Sequence, residues 1–140
     1  MNMHGSCAAR DGMGVLLVGP AGSGKSDLLL RLLSRGFFLV ADDRVEVTGP
    51  RARAPAALAG LLEIRGLGIV RLSYVPETQL ALVVELTTSV PRLPQPARHP
   101  VLDLPLIRLD PAQASAPDKV IMALECLLGR TMQMAGAFAA

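Results

Sequence analysis

Apolar residues fall along this chain in short runs, and their spacing changes at definite points. Val15-Leu16-Leu17-Val18 is an uninterrupted apolar run that predicts a short buried strand over 14–18. From Lys25 the period lengthens: Leu28, Leu29, Leu32 and Leu33 form one stripe, which predicts a helix over 25–35 closed by Gly36. Phe37 to Ala41 is wholly apolar, as for a strand buried on both faces of a parallel sheet, and it ends in Asp42-Asp43. Residues 6–9 predict a short strand turning at Asp11-Gly12. Residues 45–48 and 80–87 predict further strands, and 101–109 a strand made irregular by Pro105. Ser115 is placed to cap a helix with Pro117 and Asp118 in its first turn, ending at Gly129. Gly49 to Pro55 reads as a hairpin turn, and 91–100, with four prolines, as an extended connector. One strand-loop-helix-strand unit followed mostly by strands predicts an α/β fold: a strand-rich mixed sheet with one phosphate-loop helix.

Composition narrows the function classes. With 140 residues and 51% hydrophobic content the chain is expected to be one domain with a real core, its last stretch, 130–140, a loose tail. Aromatics are 3% with no Trp, which leaves no base-stacking platform. Net charge is +2 and the cations are scattered, so no nucleic-acid footprint is expected. The longest apolar stretch, 120–140, is interrupted by Glu125 and Arg130, and no membrane span or signal peptide is expected. Cys7 and Cys126 share no metal-ligand spacing and read as reduced thiols of a cytoplasmic protein.

The densest chemistry lies in Gly19-Pro20-Ala21-Gly22-Ser23-Gly24-Lys25-Ser26, a complete G-x-x-x-x-G-K-[ST] motif between a strand and a helix. Gly22 and Gly24 let backbone amides turn inward around phosphate oxygens, and the helix N-terminus faces the same anion. Lys25 can reach the outer phosphates, and the Ser26 hydroxyl can ligate Mg²⁺. Asp42 and Asp43 stand where the next strand should emerge beside this loop. There a carboxylate can hold Mg²⁺ or take a proton from an attacking hydroxyl; the plain alternative is a solvated turn. In Leu62-Glu63-Ile64-Arg65-Gly66-Leu67-Gly68-Ile69, Glu63 can ligate Mg²⁺ and Arg65 can neutralise phosphate or position a protein substrate. A surface ion pair between the two is the alternative.

Three elements together resemble the catalytic domain of the HPr kinase/phosphorylase family over residues 4–90: Gly19 to Ser26, Val40-Ala41-Asp42-Asp43-Arg44-Val45, and Leu62 to Ile69. His4-Gly5 fits that family too. The resemblance implies a fold like that of HPr kinase and phosphoenolpyruvate carboxykinase. It implies an ATP- and Mg²⁺-dependent enzyme that phosphorylates a serine of HPr, the phosphocarrier of the sugar phosphotransferase system. By position, Gly19, Pro20, Ala21, Gly22, Ser23, Gly24, Lys25 and Ser26 would hold ATP, and Ser26 and Glu63 would hold Mg²⁺. Asp43 would be the base with Asp42 in support, roles that two neighbours can exchange. His4 and Lys25 would lie at the transferring phosphate, and Arg65, Gly66, Leu67 and Gly68 would meet HPr.

Two departures bear on this. The chain starts almost at His4, so the family's regulatory N-terminal domain is expected to be absent, as in the short alphaproteobacterial branch. The family's Arg-Pro-Gly-Arg-Asn stretch has no counterpart in Arg108 to Lys119, which favours the kinase over the phosphorylase direction; Arg108 or Lys119 is left to supply a cation. A homo-oligomer stays open, as do two other functions. One is a small-molecule phosphate-loop kinase, although no Arg-rich lid is visible; the other is a non-catalytic module that senses ATP or phosphate.

Overall fold

The computed structural model describes residues 1–139. Its elements run β1 (Asn2–His4), β2 (Ser6–Arg10), β3 (Met13–Val18), α1 (Lys25–Leu33), β4 (Phe38–Ala41), β5 (Arg44–Thr48), β6 (Arg51–Arg53), β7 (Leu61–Ile64), β8 (Gly68–Arg71), β9 (Thr78–Leu86), β10 (Leu106–Leu109) and α2 (Ala116–Leu127). Eight strands make one mixed sheet in the order β1-β5-β6-β9-β3-β2-β4, with β10 also on β9, while β7 and β8 pair as a separate hairpin. This is the strand-rich mixed sheet that the sequence predicts.

The apolar run of β3 is central because both its faces are covered: Val15, Leu16 and Leu17 are each wholly buried. β9 lies parallel to β3 and divides its other edge, pairing Thr78 and Gln79 with β6 and Val83 to Leu86 with β10. β2 and β3 form a hairpin closed by Asp11 and Gly12 at φ +53° and +75°, the left-handed pair that matches strand twist. On one face, Val15, Leu17, Leu82 and Val84 pack against Leu28, Leu29 and Leu32 of α1 and Val120 and Leu124 of α2. Each buried leucine contributes about 1.5–3 kcal/mol. The other face packs Leu16, Val40 and Val83 with Val45, Val47 and Ala52, and with Ala97, Leu102 and Leu104 from the segment before β10.

Three expectations are corrected. The run after Gly36 is no central parallel strand: β4 starts at Phe38, lies at the end of the sheet order and pairs antiparallel with β2. Phe38 is 59% exposed, whereas Phe37 turns into the core. Apolarity alone cannot distinguish a central strand from an edge strand whose open side is shielded. Here Val75 shields it, donating its N–H to the Leu39 carbonyl at 2.8 Å. The strand expected over 101–109 is confined to β10, because the Leu106 amide bonds the Ala97 carbonyl across a turn that His99 holds. There His99 Nδ1 accepts the Val101 and Leu102 amides. Ser115 stands at the start of α2 without a side-chain cap bond. Residues 130–139 carry no helix or strand; Ala137 and Phe138 pack against the core edge, while Met132 and Met134 are exposed. Among the described residues no helix is long and apolar enough to cross a membrane.

Candidate active site

Strand directions decide what meets at the site. β2 runs antiparallel to both β3 and β4, so β3 and β4 point the same way and deliver Gly19 and Asp42 to one end of the sheet. The parallel-neighbour expectation fails, yet the placement drawn from it holds. β1 pairs with β5 so that His4 lies opposite Arg44, beside Asp43. Gly5 makes that path possible: a Cβ there would stand 2.7 Å from the Leu17 carbonyl oxygen, so only glycine passes.

The two aspartates point different ways because the backbone reverses between them. The Arg44 amide bonds the Asp42 carbonyl at 2.8 Å around Asp43 at φ +70°, the strained hand of the γ-turn. The Gly5 amide holds the Asp43 carbonyl at 3.1 Å. Asp42 turns inward and is buried; its Oδ1 accepts the hydroxyls of Ser6 at 2.8 Å and Ser26 at 2.7 Å. The Asp43 side chain stays 62% exposed, with His4 Nε2 3.6 Å from its Oδ1, an ion pair only when the imidazole is protonated.

The glycine-rich loop runs from Gly19 to Gly24, which opens α1 at φ +98°. Lys25 is buried and its Nζ donates to the carbonyls of Gly19 at 2.7 Å and Pro20 at 3.0 Å. Facing the loop is the β7–β8 hairpin, anchored by the wholly buried Leu62. A cavity of 390 Å³ lies between them, lined by His4, Ala21, Gly22, Gly24, Lys25, Ser26, Asp43, Glu63 and Arg65. Ile64 of the 62–69 segment completes the lining with Asp27 and Leu30, which were not anticipated. Asp42 sits behind Ser26 and does not line the cavity. Gly66 and Leu67 lie at the hairpin tip beyond it, with Leu67 74% exposed, and Gly68 opens β8 opposite Ile64. Gly19, Pro20 and Ser23 belong to the loop without lining the cavity.

Sequence reasoning also missed Ser6. The only signal was a hydroxyl starting the run Cys7-Ala8-Ala9, which does not say what it meets. Cys7 takes no part: burial pushes its thiol from 9.0 up to about 12, which keeps it protonated.

The donor set fits a metal-bound polyphosphate. Gly22 lines the cavity, and a Cβ added there would meet nothing within 4 Å, so the space beside the loop is open. Ser23 Oγ is buried in the loop without a hydrogen-bond partner. Ser26 gives its proton to Asp42 and keeps its oxygen lone pairs for a cation. Among the described residues no three His, Cys, Asp and Glu side chains converge into a metal cage. Mg²⁺ needs none, since it takes one or two protein oxygens plus phosphate and water.

Comparison with known proteins gives a consistent answer. The profile of the HPr Serine kinase C-terminal domain matches residues 1–92. The HPr kinase/phosphorylase of Limosilactobacillus reuteri is 40% identical over 64% of this chain and 32% of its own length. That of Cupriavidus metallidurans is 36% identical over 94% of this chain and 46% of its own length. The chain thus spans less than half the length of these relatives. The solved Hpr(Ser) kinase/phosphatase from Coxiella burnetii superposes with a TM-score of 0.71 at 23% identity, over 93% of this chain and 89% of that one, and so shares the fold. By the profile match over most of its length, the chain belongs to the HPr serine kinase C-terminal domain family.

Proposed function

We propose that this chain is a cytoplasmic protein-serine kinase that uses ATP and Mg²⁺ and phosphorylates HPr. The observation that carries the reading is the Ser26–Asp42 bond at 2.7 Å beside a cavity that Asp43 and His4 also line. A phosphate-loop hydroxyl fixed by a carboxylate, with a second, exposed carboxylate lining the same cavity, suits transfer to a hydroxyl acceptor.

The loop amides and Lys25 would hold the phosphates, and Ser26 and Glu63 the metal. ATP supplies the phosphoryl group, and Mg²⁺ spreads the charge on its oxygens. The two aspartates divide the remaining work by their partners. Asp42, occupied by two hydroxyls, orients Ser26. Asp43, exposed and turned outward, takes the proton of the attacking serine, and His4 steadies the carboxyl that results. Arg65 would face the phosphates or the incoming protein, with Gly66, Leu67 and Gly68 presented to that protein. The kinase direction is favoured because residues 108–119 carry no counterpart of the Arg-Pro-Gly-Arg-Asn stretch.

The test is transfer of labelled phosphate from ATP to the serine of HPr, with and without Mg²⁺, by the wild-type chain and Asp43→Asn. The expected result is Mg²⁺-dependent transfer by the wild type, reduced about 10³-fold in Asp43→Asn with nucleotide binding retained. Transfer at the wild-type rate by Asp43→Asn would remove the base assignment. Nucleotide binding without any transfer would favour a sensing module.

A further inference from the structure

Arg31 lies on α1 outside the cavity, and its contacts run in three directions. Its Nη2 donates to the Pro111 carbonyl at 2.6 Å and stands 3.1 Å from Asp27 Oδ2; its Nη1 donates to the Gln113 carbonyl at 3.3 Å. The segment so held lies over the glycine-rich loop: a Cβ built on Gly24 would come into van der Waals contact with Pro111 Cβ and Cγ at 3.5 Å. The segment is also stiff, because Asp110 Oδ1 accepts the Ala112 amide at 2.9 Å, and Lys119 ties Gln113 to α2. Asp27 lines the cavity, so Arg31 also offsets a carboxylate at the cavity edge.

We propose that Arg31 is a positioning residue: it clamps the 110–113 segment across the start of α1 and keeps Pro111 over Gly24, which limits the directions open to the loop amides. The proposal rests on the reading of residues 19–26 as the polyphosphate-binding loop. The physical case is pre-organisation. Gly24 is held at φ +98° with no side chain of its own to lock it, and amides that already point at an anion cost nothing to order when it binds. A planar guanidinium can reach two carbonyls and a carboxylate at once, whereas an ammonium on a flexible stem cannot hold that geometry.

The experiment compares wild type, Arg31→Ala, Arg31→Lys and Pro111→Gly in two measurements on the full chain. The first is amide hydrogen exchange without nucleotide. Arg31→Ala should speed exchange at the bonded loop and first-turn amides of Ser23 and Leu28 by about tenfold, with β3 and β9 unchanged. The second is Mg²⁺–ADP binding by calorimetry. Its Kd should rise about tenfold in Arg31→Ala, rise less in Arg31→Lys, and rise comparably in Pro111→Gly, where the arginine remains. In turnover the loss should fall on KM for ATP rather than on kcat. Loop exchange and Kd both within about twofold of wild type in Arg31→Ala would overturn the proposal, as would faster exchange spread evenly through the sheet. A wild-type chain that binds no nucleotide would sink the function proposed above. Loop-confined exchange in Arg31→Ala would then still establish the clamp.

Discussion

The Ser6–Asp42–Ser26 cluster makes the sharpest quantitative claim. Asp42 Oδ1 accepts both hydroxyls, and Ser6 is wholly buried. A hydrogen bond to a carboxylate contributes about 1.5–3 kcal/mol net. Ser6→Ala removes one such bond and leaves the carboxylate with Ser26 alone, so it should cost about 2 kcal/mol. Asp42→Ala leaves the Ser6 hydroxyl buried without an acceptor, a loss of about 1–3 kcal/mol, partly offset because a buried charge has been removed. The double variant strands neither group. Its loss should therefore fall short of the sum by about 1–2 kcal/mol. Urea unfolding of all four proteins, fitted with a common slope, measures the coupling. Additivity within about 0.5 kcal/mol would show that the two side chains do not support each other, and Ser6 would lose its place as an anchor of Asp42.

Other consequences can be checked separately. Lys25→Met should lower transfer by about 10²–10³-fold, as for loss of a main electrostatic element, with circular dichroism unchanged; near wild-type turnover would exclude Lys25 from the phosphate site. Cys7 should resist iodoacetamide in the native protein while the partly exposed Cys126 reacts, and both should react in denaturant. Because burial raises the folded Cys7 pKa, its stabilising effect is complete below pH 9.0 and is lost between there and about pH 12. Unfolding free energy should therefore fall across that window, and less steeply in Cys7→Ala. Leu67→Asp, at the exposed hairpin tip, should raise KM for HPr about tenfold with Kd for ATP unchanged; an unchanged KM would take the tip out of protein recognition.

Local chemistry was readable because it is written in adjacent residues. A glycine-rich turn between an apolar strand and a leucine-striped helix specifies its own structure, and residues 14–36 behave so. The acidic doublet could be found but not resolved, since two neighbours of identical type differ only in what folds against them. The third segment, 62–69, revealed its composition but not its place, because a hairpin separated from the main sheet leaves no pairing pattern to read.

The sequence by itself determined the loop, its helix, the apolar mass of the core and the residue types available for phosphate chemistry, all properties of short windows of chain. Tertiary structure alone decided that β4 lies beyond β2, that Asp42 faces Ser6 and Ser26 while Asp43 faces His4, and that Arg31 reaches the 110–113 segment. These contacts join residues up to 82 positions apart. No local periodicity encodes such a meeting; it follows from burying two faces of one sheet at once.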